Sequence, residues 1–153
     1  GINTLVIGLN PGWKRNCNMG KRTNQKFVSL PHKKFVDMLT YKGFLSGIKV
    51  YTREESYTSL ASFLELDDIP TYGSKPRNWK PSGTRIKRGL YRSKSGLINA
   101  DVNASYNILR KEFPDAFSQG IKGCVVQPRL VNVPGYKHKP RFCWIACESL
   151  QGA

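Results

Sequence analysis

The chain opens on a short apolar run, Thr4-Leu5-Val6-Ile7-Gly8, stopped by Asn10-Pro11-Gly12. A run of that length before a turn predicts a buried strand. From Pro31 to Leu45 the spacing becomes helical: Phe35, Met38, Leu39, Lys42 and Leu45 trace one face, and His32, Lys33 and Asp37 the other. Pro31 suits the first turn of that helix and Gly47 its stop. Ile48-Lys49-Val50-Tyr51-Thr52 alternates and is β-branched, which predicts a second strand carrying Glu54-Glu55 at its C-terminal end. Between Leu66 and Ser95 the pattern is broken by Pro70, Gly73, Pro76, Pro81 and Gly83. This stretch reads as a long loop or hairpin, of a length that tends to be functional. From Val102 apolar residues recur at Tyr106, Ile108, Leu109 and Phe113, a second helix capped by Asn99 or Asp101 and closed at Phe113-Pro114. Beyond it, Cys124-Val125-Val126 and Leu130 to Val133 have strand character, kept short by prolines. Arg141 to Leu150 reads as a terminal helix or strand.

Size and composition bound what these elements do. A chain of 153 residues with 39% hydrophobic and 11% aromatic content fits one domain with a modest core. No apolar run approaches the ~20 residues of a membrane span, and no signal peptide is visible. No membrane partner is expected. A cytoplasmic, nucleoid-associated location is expected, and the start on Gly1 suggests a fragment with further chain upstream. Lys+Arg 25 against Asp+Glu 10 gives a net charge of +15. The basic residues do not follow one amphipathic helix, so the charge points to nucleic acid rather than a lipid surface. Cys17, Cys124, Cys143 and Cys147 form no CxxC pair. Cys143 and Cys147 stand four apart, as on one helix face, but no second pair completes a zinc site. They read as reduced, mostly buried thiols.

The candidate chemistry lies in four places. Trp13, Lys14, Arg15, Lys21, Arg22, Asn24 and Gln25 combine phosphate-neutralising cations with a stacking ring and amides. A solvated loop anchored by one Trp accounts for the same residues. The broken stretch adds Arg85, Lys87, Arg88 and Arg92, interleaved with Trp79 and Tyr91. Glu54 and Glu55 stand at a strand end, where α/β proteins build sites, although the second acid pair Asp67-Asp68 shows that adjacency alone proves little. Asp101 sits among small and amide side chains at a helix start, where the helix dipole favours an ionised acid. His32 and His138, each beside lysines, read as surface residues.

Three segments together resemble the C-terminal half of TnpB (OrfB), the RNA-guided nucleases of bacterial insertion sequences related to type V CRISPR effectors. They are Lys14 with Asn24-Gln25-Lys26-Phe27, Glu54-Glu55-Ser56-Tyr57-Thr58-Ser59, and Asn99-Ala100-Asp101-Val102-Asn103-Ala104. The resemblance spans residues 4 to 113. It implies an α/β fold: an incomplete RuvC-like (RNase H-like) domain over 1–113, with a mixed sheet flanked by helices. A basic irregular insertion over 60–98 replaces a zinc ribbon, and 114–153 is a tail without an assigned role. Asp101 matches the last catalytic carboxylate. Gly8 stands where the family's glutamate usually ends its strand. A subgroup with the same wording carries Glu-Glu-Ser-Tyr-Thr-Ser instead, so Glu54 or Glu55 supplies the acid. The first aspartate belongs upstream of residue 1. Ala61 stands where the first zinc cysteine would fall, so no zinc is expected, and Phe63, Leu64, Ile69 and Tyr72 close the loop by apolar packing. Leu60 replaces a common basic residue.

The resemblance further implies Mg²⁺ (or Mn²⁺) bound through Glu55 and Asp101, with guide RNA and target DNA as partners. Tyr57, Thr58, Ser59 and Asn103 join the nucleic-acid-binding set. Two ions about 4 Å apart would cut the phosphodiester in the complete protein. Guide pairing would supply specificity. With one ligand missing the chain alone is expected to be inactive. The alternative is a truncated, non-catalytic module that binds guide RNA or DNA.

Overall fold

Two parallel strands joined through a helix form the first unit of this structure, a computed structural model in which residues 1–10, 32–130 and 143–144 are described. Strand β1 (Thr4–Leu9) pairs with β2 (Lys49–Glu54) in a register running from Thr4 opposite Lys49 to Leu9 opposite Glu54. Parallel neighbours need a crossover, and helix α1 (His32–Leu45) lies on it. The expected strand at Thr4 to Gly8 is present, but it is half-exposed along its length rather than buried.

Helix α1 corrects the expected face. Phe35, Met38 and Leu45 are exposed, and the only buried residue of the helix is Gly43. A Cβ on Gly43 would stand 2.7 Å from Val50 Cγ2 and 3.2 Å from the Ile48 carbonyl. The helix therefore approaches β2 most closely where it has no side chain. It ends as expected at Gly47, whose φ of 70° lies in the left-handed region, while the Ile48 amide donates to the Gly43 carbonyl at 2.8 Å.

The second unit spans Ser56–Ala153. The broken basic stretch resolves into an antiparallel sheet ordered β3 (Thr84–Lys87), β4 (Leu90–Arg92), β5 (Leu97–Ile98), with Arg88-Gly89 turning the first hairpin. Gly83 is required before it: a Cβ there would fall 2.5 Å from the Arg92 carbonyl and 2.6 Å from the Tyr91 ring. Helix α2 (Ala100–Glu112) follows, then a 3-10 turn at Pro114–Phe117. Phe63, Tyr91, Ile98, Ala100, Val102, Tyr106 and Phe117 form the core. Phe63 stacks on Tyr106 at 4.3 Å and meets Phe117 edge-on at 4.8 Å. Burying each such large side chain contributes about 1.5–3 kcal/mol.

Part of the unassigned tail thus has a structural role, since Phe117 completes the core and Ala116, Ile121 and Cys124 pack against it. Cys124 to Val126 is not a strand. There the Val126 carbonyl accepts from the Asn99 amide at 2.8 Å, and the Val125 amide donates to the Tyr106 hydroxyl at 3.1 Å. A final two-residue pair joins β6 (Arg129–Leu130) to β7 (Cys143–Trp144). Cys143 is therefore in a strand, not on a helix face shared with Cys147. Cys124 is half-buried and forms no disulfide. The basic segment Trp13 to Gln25, His138, Cys17 and Cys147 lie outside the described residues. Among the described residues the fold is α/β, with small parallel and antiparallel sheets and two α-helices. Among the described residues no helix is long and apolar enough to cross a membrane.

Candidate functional site

Asp101 is not the cap of its helix. Asn99 takes that place, its side-chain oxygen accepting from the Asp101 amide at 2.9 Å and the Val102 amide at 3.2 Å. The Asp101 carboxylate is left 75% exposed at the helix N-terminus, where the dipole favours an anion, with Arg85 Nη2 at 3.8 Å.

The inner face of α2 carries two amides among its apolar core residues. Asn103 and Asn107 are fully buried. Asn103 accepts from the Phe63 amide and donates to the Ala61 carbonyl, both at 2.8 Å. Asn107 donates to the Thr58 carbonyl at 2.9 Å and the Ala61 carbonyl at 2.8 Å. Arg110 donates to the Leu66 and Asp67 carbonyls, and Lys111 to that of Ser56. These four side chains clamp segment 56–67, whose turns leave carbonyls without ladder partners. Burial holds the Arg110 pKa below its ordinary value, while Asp67 and Asp68 oppose the shift. Asn103 and Thr58, expected as nucleic-acid contacts, are thus buried parts of this clamp. The signal for it was the Asn-x-x-x-Asn spacing on a face otherwise lined by Val102 and Tyr106.

Within the 60–98 stretch, two turns meet through oxygen atoms. The Ser62 hydroxyl donates to Ser93 Oγ at 2.9 Å, and Ser93 donates to Glu65 Oε1 at 2.7 Å. The Ser95 amide donates to the same carboxylate at 2.7 Å. Those bonds hold the Glu65 pKa below its ordinary value, the Ser95 contact foremost. Asp67 accepts from the Ser62 and Ser82 amides, so the pair Asp67-Asp68 has a structural task. Tyr91 donates to the Leu60 carbonyl at 2.7 Å, and its pKa is pushed up to about 12 by burial and the Asp67 charge. Of the expected apolar closure, Phe63 is in the core and Leu64 packs against it, whereas Tyr72 is 81% exposed.

The hairpin presents its cations to solvent. Arg85, Lys87, Arg88 and Arg92 are exposed, as are Lys75, Arg77 and Lys80 on the preceding loop. Ser59 is exposed and Tyr57 half-buried.

In the first unit, the acid pair stands at the C-terminal end of both parallel strands. Glu54 is opposite Leu9, and Asn10 Nδ2 donates to Glu55 Oε1 at 3.0 Å. Burial and then the neighbouring Glu54 charge raise the Glu55 pKa above its ordinary value. Gly8, opposite Arg53, is at the same end of the sheet.

A family model, Cas12f1-like, TNB domain, matches residues 32–108, half of the chain. The chain belongs to that family. The Cas12f1-like match begins at α1, takes in β2 with Glu54 and Glu55, and ends within α2, beyond Asp101. It ties the chain to the TnpB and Cas12 group of RNA-guided nucleases, and so to nucleic acid in general. Comparison with curated proteins and with solved structures gave no match.

Proposed function

We propose that this Cas12f1-like chain is the part of an RNA-guided DNA nuclease that supplies two carboxylate positions to a RuvC-type site and holds nucleic acid on its basic hairpin. The observation that supports it most is the β1–β2 register. It sets Glu54 and Glu55 beside Leu9 and Asn10, at the end of the sheet where the resemblance puts the family's glutamate, at the position of Gly8. An acid moved to the adjacent strand at the same end keeps the ligand near its place. The donor set suits a hard cation: Glu55 is partly desolvated beside Glu54, which a Mg²⁺ ion would relieve. The resemblance assigns a further carboxylate to Asp101, at the start of α2, where Arg85 stands 3.8 Å away and could meet a phosphate. Bound Mg²⁺ would supply an activated water and stabilise the leaving oxygen. The chain's own residues orient the ions and grip the strands, through Arg85, Lys87, Arg88 and Arg92.

The oxygen cluster of Ser62, Glu65, Ser93 and Ser95 takes the place of a zinc ribbon in this reading, and closes the second unit without metal. In the complete nuclease, Asp101→Ala and a Glu54→Ala/Glu55→Ala pair each abolish Mg²⁺-dependent cleavage while leaving DNA binding. Cleavage unchanged in both overturns the proposal. The exposed hairpin cations favour a second reading, a binding module without catalysis. An isolated chain that binds with steep salt dependence, in a nuclease that tolerates both carboxylate variants, supports that one.

A further inference from the structure

Tyr57 has a φ of 63°, a left-handed conformation rare for a bulky side chain. Its neighbours are pinned: Lys111 holds the Ser56 carbonyl at 2.9 Å and the buried Asn107 holds that of Thr58 at 2.9 Å. The Tyr57 carbonyl itself accepts from the Leu60 and Ala61 amides at 3.0 Å. Surroundings that over-determine a strained residue mark a functional position. The strain delivers a ring. Tyr57 lies 5.8 Å from Trp79 with the planes tilted by 59°, and Lys75 Nζ is 6.0 Å from the first centroid and 5.7 Å from the second. Trp79 is fixed by its Nε1, which donates to the Asp68 carbonyl at 2.9 Å, so its polar edge is engaged within the protein. Both rings are half-buried, and Lys75 is exposed, as are Arg77 and Lys80 on the same loop.

We propose that Tyr57, Trp79 and Lys75 form a stacking site for an unpaired base of single-stranded nucleic acid, with Lys75 meeting its phosphate. The inference rests on the nucleic-acid reading above and names the strand state this site selects. Two tilted aromatic faces take a planar ring. The ammonium already over them repels a second cation, so a cation cage is excluded and an anionic, planar ligand is favoured. Bases in a duplex are stacked on one another and do not offer a free face.

The test uses the 153-residue chain and a short oligonucleotide carrying a fluorescent purine analogue, single-stranded or in a duplex. Stacking quenches the single-stranded probe on wild-type protein. Tyr57→Gly, which suits the backbone angle, and Trp79→Leu, which keeps apolar bulk, each abolish the quenching. Each also weakens single-strand binding about tenfold, without lowering the melting temperature in step or altering duplex affinity. Lys75→Ala reduces the salt slope of single-strand binding by about one. Absent quenching, or equal losses for both strand states, overturns the site. If Arg85→Gln/Lys87→Gln weakens both strand states while quenching is absent, the site fails and the nucleic-acid reading stands. If neither oligonucleotide binds, that reading fails, and the site with it.

Discussion

The two helices invert each other. Helix α1 turns Phe35, Met38, Tyr41, Phe44 and Leu45 outward, Phe44 at 79% exposure, and buries a glycine. Helix α2 buries Asn103 and Asn107 completely. Hydropathy predicts neither the glycine nor the asparagines, although it does find the buried Val102 and Tyr106 of α2. In α1 the inward position is chosen for size, because the backbone must approach Val50 closely. In α2 the two inward asparagines are chosen for hydrogen bonding, because segment 56–67 runs past the helix with unladdered carbonyls that need donors.

The largest effect should come from the buried asparagines. Asn103→Ala leaves the buried Phe63 amide without this acceptor, removes one of the two donors to the Ala61 carbonyl and opens a small cavity, costing about 3 kcal/mol in denaturant unfolding. A cost below about 1 kcal/mol would mean that the clamp is incidental. Gly43→Val should cost about 1–3 kcal/mol through overpacking against Val50, whereas Phe44→Ser on the same helix should stay within about 0.5 kcal/mol. Equal effects at the two sites would contradict the size argument.

Acid should separate the two units. Glu65 has a lowered pKa, so its bonds to Ser93 and Ser95 stabilise the second unit above the ordinary carboxylate value of 4.5 and are lost as pH falls through the folded value. Glu55 has a raised pKa, so the first unit loses stability as pH rises from 4.5 through the folded value. Hydrogen exchange resolved by residue should show these opposite slopes, with Glu65→Gln flattening the one and Glu55→Gln the other. The smallest expected effect is none: chelators or added zinc should leave the melting temperature of the second unit unchanged, because hydroxyls and a carboxylate already bond one another at its turns.

Periodicity and punctuation made much of the fold legible. The strand at Thr4, the helix from His32, the strand leading to Glu54 and the helix from Ala100 all stand where the spacing puts them. Local signals of turn and cap sufficed there. What was not legible was long-range partnership. Nothing local tells that Asn103 answers the carbonyl of Ala61, that Asp67 binds Ser62 and Ser82, or that Ser62, Glu65 and Ser93 converge. The inward face of α1 was misread for the same reason, since Gly43 matters only against Val50. Among the site residues, the exposed cations of the hairpin follow from composition, whereas the burial of Thr58 and Asn103 follows only from packing.

The most direct test of the central proposal, that the acid pair ending β2 receives a divalent ion, is a titration of paramagnetic Mn²⁺ into the isotope-labelled chain, read by nuclear magnetic resonance. The account predicts that signals of Asn10, Glu54 and Glu55 broaden together over one concentration range, and that Glu55→Gln weakens the broadening at Asn10. Broadening at Asn10 that is indifferent to Glu55→Gln, or none at Glu55, would contradict it.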